Sequence, residues 1–259
     1  MKRMVSAARL VAVSFCACFL ATYSTLAQEQ AESFDKPVRE KVVDVGPSPY
    51  LLGGHGKLSC FYFNSFMVKQ LDMGEKGAEW ISITPNDPVH TTRCTQGRAQ
   101  RETVIQNWQD GYFGGVKEDF VFLVSADCFD SGCRFGVFET STRKKLFEDH
   151  RRLSPKGKIA QIRFAKNGDS LVMRYPRVVS AECSLPEKKS ECWKEILRST
   201  GLPPQPAPKC AEYKGFNQAA GSGTDDLRDP SVVSFPVEVT IPGFKTRILP
   251  GPVACWAAD

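Results

Sequence analysis

The sequence predicts a mainly β, disulfide-stapled protein with one short helix. Short segments rich in β-branched and aromatic residues follow one another at close spacing and are separated by turn signals. A single segment has the apolar spacing of a helix, and eight cysteines lie beyond the N-terminal region. These observations favour an antiparallel meander in a sandwich or partial-propeller arrangement over a closed barrel.

The clearest strand signals lie in the middle of the chain, where Asn167-Gly168-Asp169 marks a hairpin. Five segments form the predicted meander: residues 120–126, 134–139, 145–148, 159–164 and 170–175. Further strands are predicted at 57–69 and 79–83 before the meander, and at 232–241 and 244–249 after it. Pro236 lacks an amide hydrogen and is expected at an edge or a bulge.

Residues 190–199 form the predicted helix. Ser190 is the expected N-terminal cap, and Gly201 lies just beyond the last apolar residue of the helical pattern. A stiff proline-rich connector follows at 202–208.

The first 27 residues have the three parts of a cleaved export signal. Three basic residues precede an apolar run at 10–21, and Thr25-Leu26-Ala27 offers small residues to a signal peptidase. Twelve apolar residues are too few to span a bilayer, which requires about 20. We therefore expect a periplasmic or extracellular protein that does not span the membrane after cleavage. Residues 28–45 are predicted to be a poorly ordered polar leader, and 46–259 a single domain.

The charge balance provides no case for nucleic-acid binding. The chain has 34 basic and 29 acidic residues, but three of the basic residues lie in the predicted signal. The remaining 31 basic residues nearly balance the acidic ones, so no broad basic surface is expected.

The eight cysteines are expected to form four disulfides in an oxidising compartment. Sequence alone allows 105 connectivities, and local geometry favours the nearest-neighbour set. That set is Cys60–Cys94, Cys128–Cys133, Cys183–Cys192 and Cys210–Cys255. Metal binding is the alternative, but Cys-x2-Cys and paired histidines are missing from the mature sequence. We predict no metal site and no cofactor.

Candidate catalytic groups are few. The chain has three histidines, His55, His90 and His150, and no Gly-x-Ser-x-Gly motif. His55 is the most suggestive because the flanking glycines allow close approach of a ligand; the alternative is a turn with an exposed imidazole. A hydrolase would need a cleft that contains one of these histidines or a close pair of carboxylates.

Two aromatic clusters are candidate binding surfaces. One lies at 61–66 and the other at 108–113. If the rings are exposed, they favour glycan or peptide binding; the alternative is a core on both faces of a sheet. The candidate binding residues are His55, Tyr62, Trp108, Tyr112 and Phe113.

Several segments together resemble a group of uncharacterised secreted proteins of Gram-negative bacteria. They are the pattern WxxGYFxGVKxDFVF and its continuation to Asp149, Cys183-Ser184-Leu185, Cys192-Trp193 and the terminal Gly251 to Trp256. The resemblance spans most of the predicted mature chain and implies periplasmic or extracellular residence. It implies no activity, cofactor or partner.

The sequence therefore favours a non-catalytic binding or envelope-associated protein, whose partner is a glycan, a peptide or another envelope protein. One alternative is a periplasmic hydrolase with an unrecognised site. Another is an assembly factor for exported proteins, which an exposed strand edge at 232–241 would favour through strand addition.

Overall fold

The computed structural model describes residues 33–258 apart from 87–92, 107, 109, 130–131, 153–161 and 211–226. The predicted signal at 1–27 lies outside the described residues, which belong to one compact unit. Of the described residues, 52% lie in strands and 6% in the helix, and they form two antiparallel sheets in a sandwich-like fold. The predicted fold class is confirmed.

The first sheet contains five strands in sequence order. They are β1 (Arg39–Pro47), β2 (His55–Tyr62), β3 (Phe66–Asp72), β4 (Trp80–Pro85) and β5 (Thr103–Val104). The predicted strand at 57–69 is wrong as a single element, because a tight turn at Asn64 and Ser65 divides it into β2 and β3. Across that turn, the Phe63 amide donates to the Phe66 carbonyl at 2.8 Å.

The second sheet contains nine strands and carries the helix. Its strands are β6 (Gly111–Lys117), β7 (Phe120–Phe129), β8 (Gly132–Glu139), β9 (Lys145–Arg151), β10 (Arg163–Asn167), β11 (Ser170–Ser180), β12 (Ser231–Ile241), β13 (Lys245–Ile248) and β14 (Ala254–Ala257), and the helix is α1 (Lys189–Thr200). The main path is β13-β12-β11-β9-β8-β7-β6, with β10 on β11 and β14 on β12.

Strand β7 is buried on both faces, which explains its unbroken apolar sequence. Val121 and Leu123 pack against the first sheet. Phe122 and Val124 face the larger core, which is shared with β10 to β12 and α1. The β7 region therefore positions both sheets and the helix around it.

The expected polar leader is corrected by the position of β1. From Arg39 onward, the segment predicted to be poorly ordered is a strand that pairs with β2. Phe34 also packs on the larger core, with its ring 5.1 Å from that of Phe122. Val43 and Val45 contact the outer core of the first sheet, so alternate apolar residues anchor this charged strand.

Pro236 lies inside the second sheet, because β12 pairs with β11 on one side and with β13 and β14 on the other. It faces Pro176 of β11. The two carbonyls point away from each other: that of Pro236 accepts from Leu249 and that of Pro176 from Arg152, both at 3.0 Å. The prolines therefore form a non-hydrogen-bonded pair and remove no ladder bond between β11 and β12. The prediction of an edge or a bulge at Pro236 is wrong, and the exposed edge at 232–241 that would have favoured an assembly factor is absent from the described sheet.

Helix α1 ends as predicted but begins differently. Gly201 closes it in the left-handed conformation, with φ of 73°. The N-cap is Lys188, without a side-chain capping bond, and Ser190 lies within the first turn. Cys192, Trp193 and Ile196 are the buried residues of the helix.

The four predicted cysteine pairs are confirmed. Cys60 pairs with Cys94, Cys128 with Cys133, Cys183 with Cys192 and Cys210 with Cys255. Cys128 and Cys133 face each other across the base of the β7–β8 hairpin, as their positions flanking the loop predicted.

Candidate functional site

Strand β1 forms one edge of the first sheet. Because Phe63 and Phe66 are a hydrogen-bonded pair, odd-numbered residues of β2 bond β3 and even-numbered residues bond β1. Lys41 lies opposite Cys60 and therefore directs its N–H and C=O toward β2. The same groups of Glu40 and Val42 point outward, where none of the described strands pairs with them.

Exposed apolar side chains concentrate on β1 and in the segments that precede and follow it. Seven large hydrophobic residues of the described chain are exposed, and five lie between residues 38 and 52. These five, Val38, Val42, Tyr50, Leu51 and Leu52, are called the edge surface below. Val42 is 62% exposed, and Leu52 is fully exposed. The other two are Leu146 on β9 and Leu227.

The loop between β1 and β2 is organised around Ser48. Its hydroxyl oxygen accepts from the amides of Tyr50 and Leu51 at 3.0 and 3.1 Å, and the hydroxyl donates to the Met73 carbonyl. Gly54 donates its amide to the Leu51 carbonyl at 3.0 Å. These bonds fix the backbone of the loop, so Leu52 is presented to solvent by an ordered turn.

His55 begins β2 beside this loop and bonds Asp44 of β1. The distance between His55 Nδ1 and Asp44 Oδ2 is 2.6 Å, and both side chains are more than half exposed. The Gly46 amide, followed by His55, lowers the pKa of the Asp44 carboxyl. The carboxylate orients the imidazole, but the nearby Ser48 hydroxyl donates to a backbone carbonyl and is not poised as a nucleophile.

The four predicted aromatic binding residues lie in packing contacts. Tyr62 is buried, and its ring lies 3.9 Å from the Arg39 guanidinium carbon. Tyr112 accepts from the Gly77 amide at 3.3 Å and packs against the larger core. These positions correspond to the two-sided core that the sequence left open as the alternative.

Trp108 and Phe113 are half-buried between the two sheets. Trp108 meets Phe138 edge to face at 5.9 Å, and the Arg134 guanidinium lies 4.7 Å from the indole ring centre. The ring centres of Phe113 and Phe61 lie 4.6 Å apart. The structure thus brings only part of the two aromatic clusters together between the sheets, where Phe61 and Phe63 contact Phe113. Tyr62 and Tyr112 pack on other cores, and His55 pairs with Asp44 of β1.

The structure describes only one of the other two histidines. His90 lies outside the described residues. His150 is exposed at a corner of the second sheet and borders a cavity with Asp149 and Arg177. Asp149 accepts from Tyr175, Arg177 and the His150 amide. Among the described residues, no hydroxyl group hydrogen-bonds the His150 ring.

Sequence reasoning missed β1 as a strand at the edge of the first sheet. The signal was present in the alternation of Lys41, Val43 and Val45 on one face with Val42 and Asp44 on the other. The abundance of charged residues between 28 and 45 masked it.

The chain matches no protein-family model, and neither a curated protein sequence nor a solved structure is significantly similar to it. Among the described residues, no helix is long and apolar enough to cross a membrane.

Proposed function

We propose that this is an exported, non-catalytic binding protein that holds an extended segment of another envelope polypeptide along the outer side of β1. The observation that carries the proposal is an edge strand with outward-pointing backbone groups that bears exposed Val42 and is flanked by the other four residues of the edge surface, one before it and three in the loop after it. The four disulfides indicate an oxidising, exported environment.

Strand addition supplies affinity through backbone bonds and specificity through alternate side chains. Glu40, Val42 and Asp44 lie on one face of β1, and Arg39 and Lys41 lie on the other. An added strand would therefore contact apolar and acidic groups on one face and basic groups on the other. Charges on an edge strand oppose indiscriminate pairing, so they favour a partner with a complementary pattern.

The test is a pair of proline variants on adjacent residues. Val42→Pro removes an amide hydrogen that points away from the sheet, and we expect the protein to remain folded while partner binding is lost. Val43→Pro is the matched control, because its amide bonds β2 and its loss should cost about 1–3 kcal/mol of stability. Photo-crosslinking in cells from residue 42 locates the partner, with residue 146 as the reference position, and the two proline variants are compared with the wild type by crosslinking from exposed residue 40 on the same face of β1.

Two further results complete this test. Leu146→Asp changes an exposed leucine away from the edge surface and should leave crosslinking from residue 42 unchanged. Equal crosslinking from residues 42 and 146, or full retention of the partner by a folded Val42→Pro variant, would overturn the proposal.

A further inference from the structure

A cavity of about 410 Å³ lies at the corner of the second sheet where β9 separates from β11. The two strands pair only at Arg151 and Arg177. Among the described residues, the cavity is lined by β9, β11, β12 and the C-terminal end of α1. Its volume lies within the range of small-molecule sites, about 300–1,000 Å³. We refer to it as the corner pocket.

One wall of the corner pocket is a fixed guanidinium group. Arg177 Nε donates to Asp149 Oδ2 at 2.6 Å, and Nη2 contacts the same oxygen. Asp149 is held in turn by the Tyr175 hydroxyl and by the His150 amide at 2.8 Å. Burial, followed by the charge of Asp149, raises the pKa of the Tyr175 phenol, so Tyr175 remains a donor.

These contacts position Arg177 without consuming its hydrogen-bonding capacity. A guanidinium has five N–H groups, and the bonds to Asp149 occupy two. The remaining groups can donate to a ligand oxygen, while the adjacent carboxylate balances the positive charge. This wall therefore offers oriented donors with little net charge.

The opposite wall offers acceptors. Ser199 and Thr200 end α1, and both hydroxyls donate to the Ile196 carbonyl, at 3.2 and 2.6 Å. Thr200 Oγ1 also accepts from the Leu202 amide at 3.3 Å, which leaves one lone pair on this oxygen and two on Ser199 Oγ for a ligand. The last carbonyl groups of a helix lack partners within the helix and carry partial negative charge. A ligand hydroxyl can donate here, whereas an anion would be repelled.

The floor is apolar. Phe235 of β12 and Val179 of β11 contribute to the lining, and both belong to or pack against the larger core. A saccharide ring has an apolar face surrounded by hydroxyl groups that both donate and accept. We propose that the corner pocket binds a neutral saccharide unit, with Arg177 donating to its hydroxyl oxygens and the end of α1 accepting from its hydroxyl hydrogens.

This inference is independent of strand addition at β1. The test uses amide NMR spectra of the mature protein titrated with methyl glycosides of glucose, galactose and N-acetylglucosamine. Inorganic phosphate and acetate form the anion arm. We expect at least one glycoside to produce saturable shifts of Ser180 and Thr200 at millimolar concentration. Neither anion should compete with that glycoside.

Variants test whether the glycoside binds in the corner pocket. Ser199→Trp introduces a large side chain at an exposed lining position and should weaken glycoside binding at least about tenfold, or 1.4 kcal/mol. Arg198→Trp is the matched control, because Arg198 is 79% exposed and does not line the cavity. Arg177→Lys keeps the charge but loses the fork and should also weaken binding. Val42→Pro should bind glycoside normally.

Three outcomes would overturn the inference. They are the absence of saturable shifts with all three glycosides, preferential binding of phosphate or acetate, and equal binding by folded Ser199→Trp and Arg198→Trp.

Discussion

The outer face of the first sheet and the core face of the second sheet are closed in different ways. The outer face buries five hydrophobic residues, two of which are the disulfide partners Cys60 and Cys94. The core face buries twenty and is covered by α1. Both faces contain disulfides, since Cys183–Cys192 and Cys210–Cys255 lie at the large one, but the small face has far less apolar burial and adds a buried ion pair. The comparison shows how the same chain compensates where a core is small.

The ion pair on the outer face is fully enclosed. The side chains of Lys69 and Glu102 are 0% and 1% exposed, and Lys69 Nζ lies 2.7 Å from Glu102 Oε2. Lys69 also donates to the carbonyls of Thr95 and Gly97 at 3.0 and 3.1 Å. Glu102 accepts from Ser82 Oγ at 2.7 Å. The pair therefore fastens the segment after Cys94 to β3 and β4.

Breaking the buried pair should produce the largest loss on the outer face. Lys69→Met leaves the Glu102 carboxylate buried without its partner, and we expect the free energy of unfolding to fall by about 3–5 kcal/mol. Phe235→Ala on the core face should cost a similar amount, about 3–5 kcal/mol, through the cavity it leaves. Urea unfolding measures both.

A double variant distinguishes the two mechanisms. Adding Glu102→Leu to Lys69→Met removes the unpaired charge and should recover much of the lost stability. Glu195→Gln is the control, because its pair with Arg198 is exposed and should contribute less than about 1 kcal/mol. If the double variant is no more stable than Lys69→Met, the buried charge is not the source of the loss.

Removing a disulfide should cost about as much stability as breaking the ion pair on the outer face, and less on the core face. Cys60 and Cys94 are 34 residues apart, whereas Cys183 and Cys192 are separated by 9. Loop-closure entropy predicts losses of about 4 kcal/mol for Cys60→Ala/Cys94→Ala and about 2.5 kcal/mol for Cys183→Ala/Cys192→Ala.

Urea unfolding of the two double cysteine variants shows which disulfide contributes more to the free energy of unfolding. A larger loss at Cys183–Cys192 would mean that α1 depends on its staple more than on the apolar contacts of Trp193 and Ile196.

Local pattern predicted the parts of this fold that are set by neighbours in sequence. The β7–β8 hairpin and its disulfide follow from two apolar segments that flank a short loop. The end of α1 follows from Gly201. The order of strands in the sheets and the contact between Lys69 and Glu102 do not follow from local pattern. The two residues are 33 positions apart, and neither has a distinctive sequence context.

Strands β1 and β12 show why edges are hard to predict. Charged residues concealed β1, although its alternate valines contact the outer core of the first sheet. A proline suggested an edge in β12, but Pro176 opposite it makes the missing amide harmless. Both errors arose because the partner of a strand is determined by the tertiary fold. The edge surface and the corner pocket depend on the same long-range arrangement.

The smallest predicted effect concerns pH. Burial alone would raise the pKa of the Glu102 and Glu238 carboxyls, but hydrogen bonds from Lys69, Ala99 and Ser82 outweigh it for Glu102, and bonds from Arg247 and Arg174 outweigh it for Glu238. Both pKa values are therefore lowered from 4.5. A depressed carboxyl pKa stabilises the fold above the unfolded value, and this stability is lost as pH falls through the folded value. Glu102→Gln and Glu238→Gln should each reduce the acid sensitivity of the unfolding free energy below pH 4.5.

High salt should affect the acid sensitivity contributed by Glu238 more than that contributed by Glu102. Arg247 and Arg174 are 69% and 39% exposed, whereas Lys69 is fully buried. At 1 M salt the screening length falls to about 3 Å, which weakens exposed charge pairs much more than buried ones. The difference in acid sensitivity between wild type and Glu238→Gln should therefore shrink in 1 M salt, and that between wild type and Glu102→Gln should persist. Equal salt dependence would show that water reaches the pair beneath the outer face, and that this face is closed no more tightly than an exposed strand ladder.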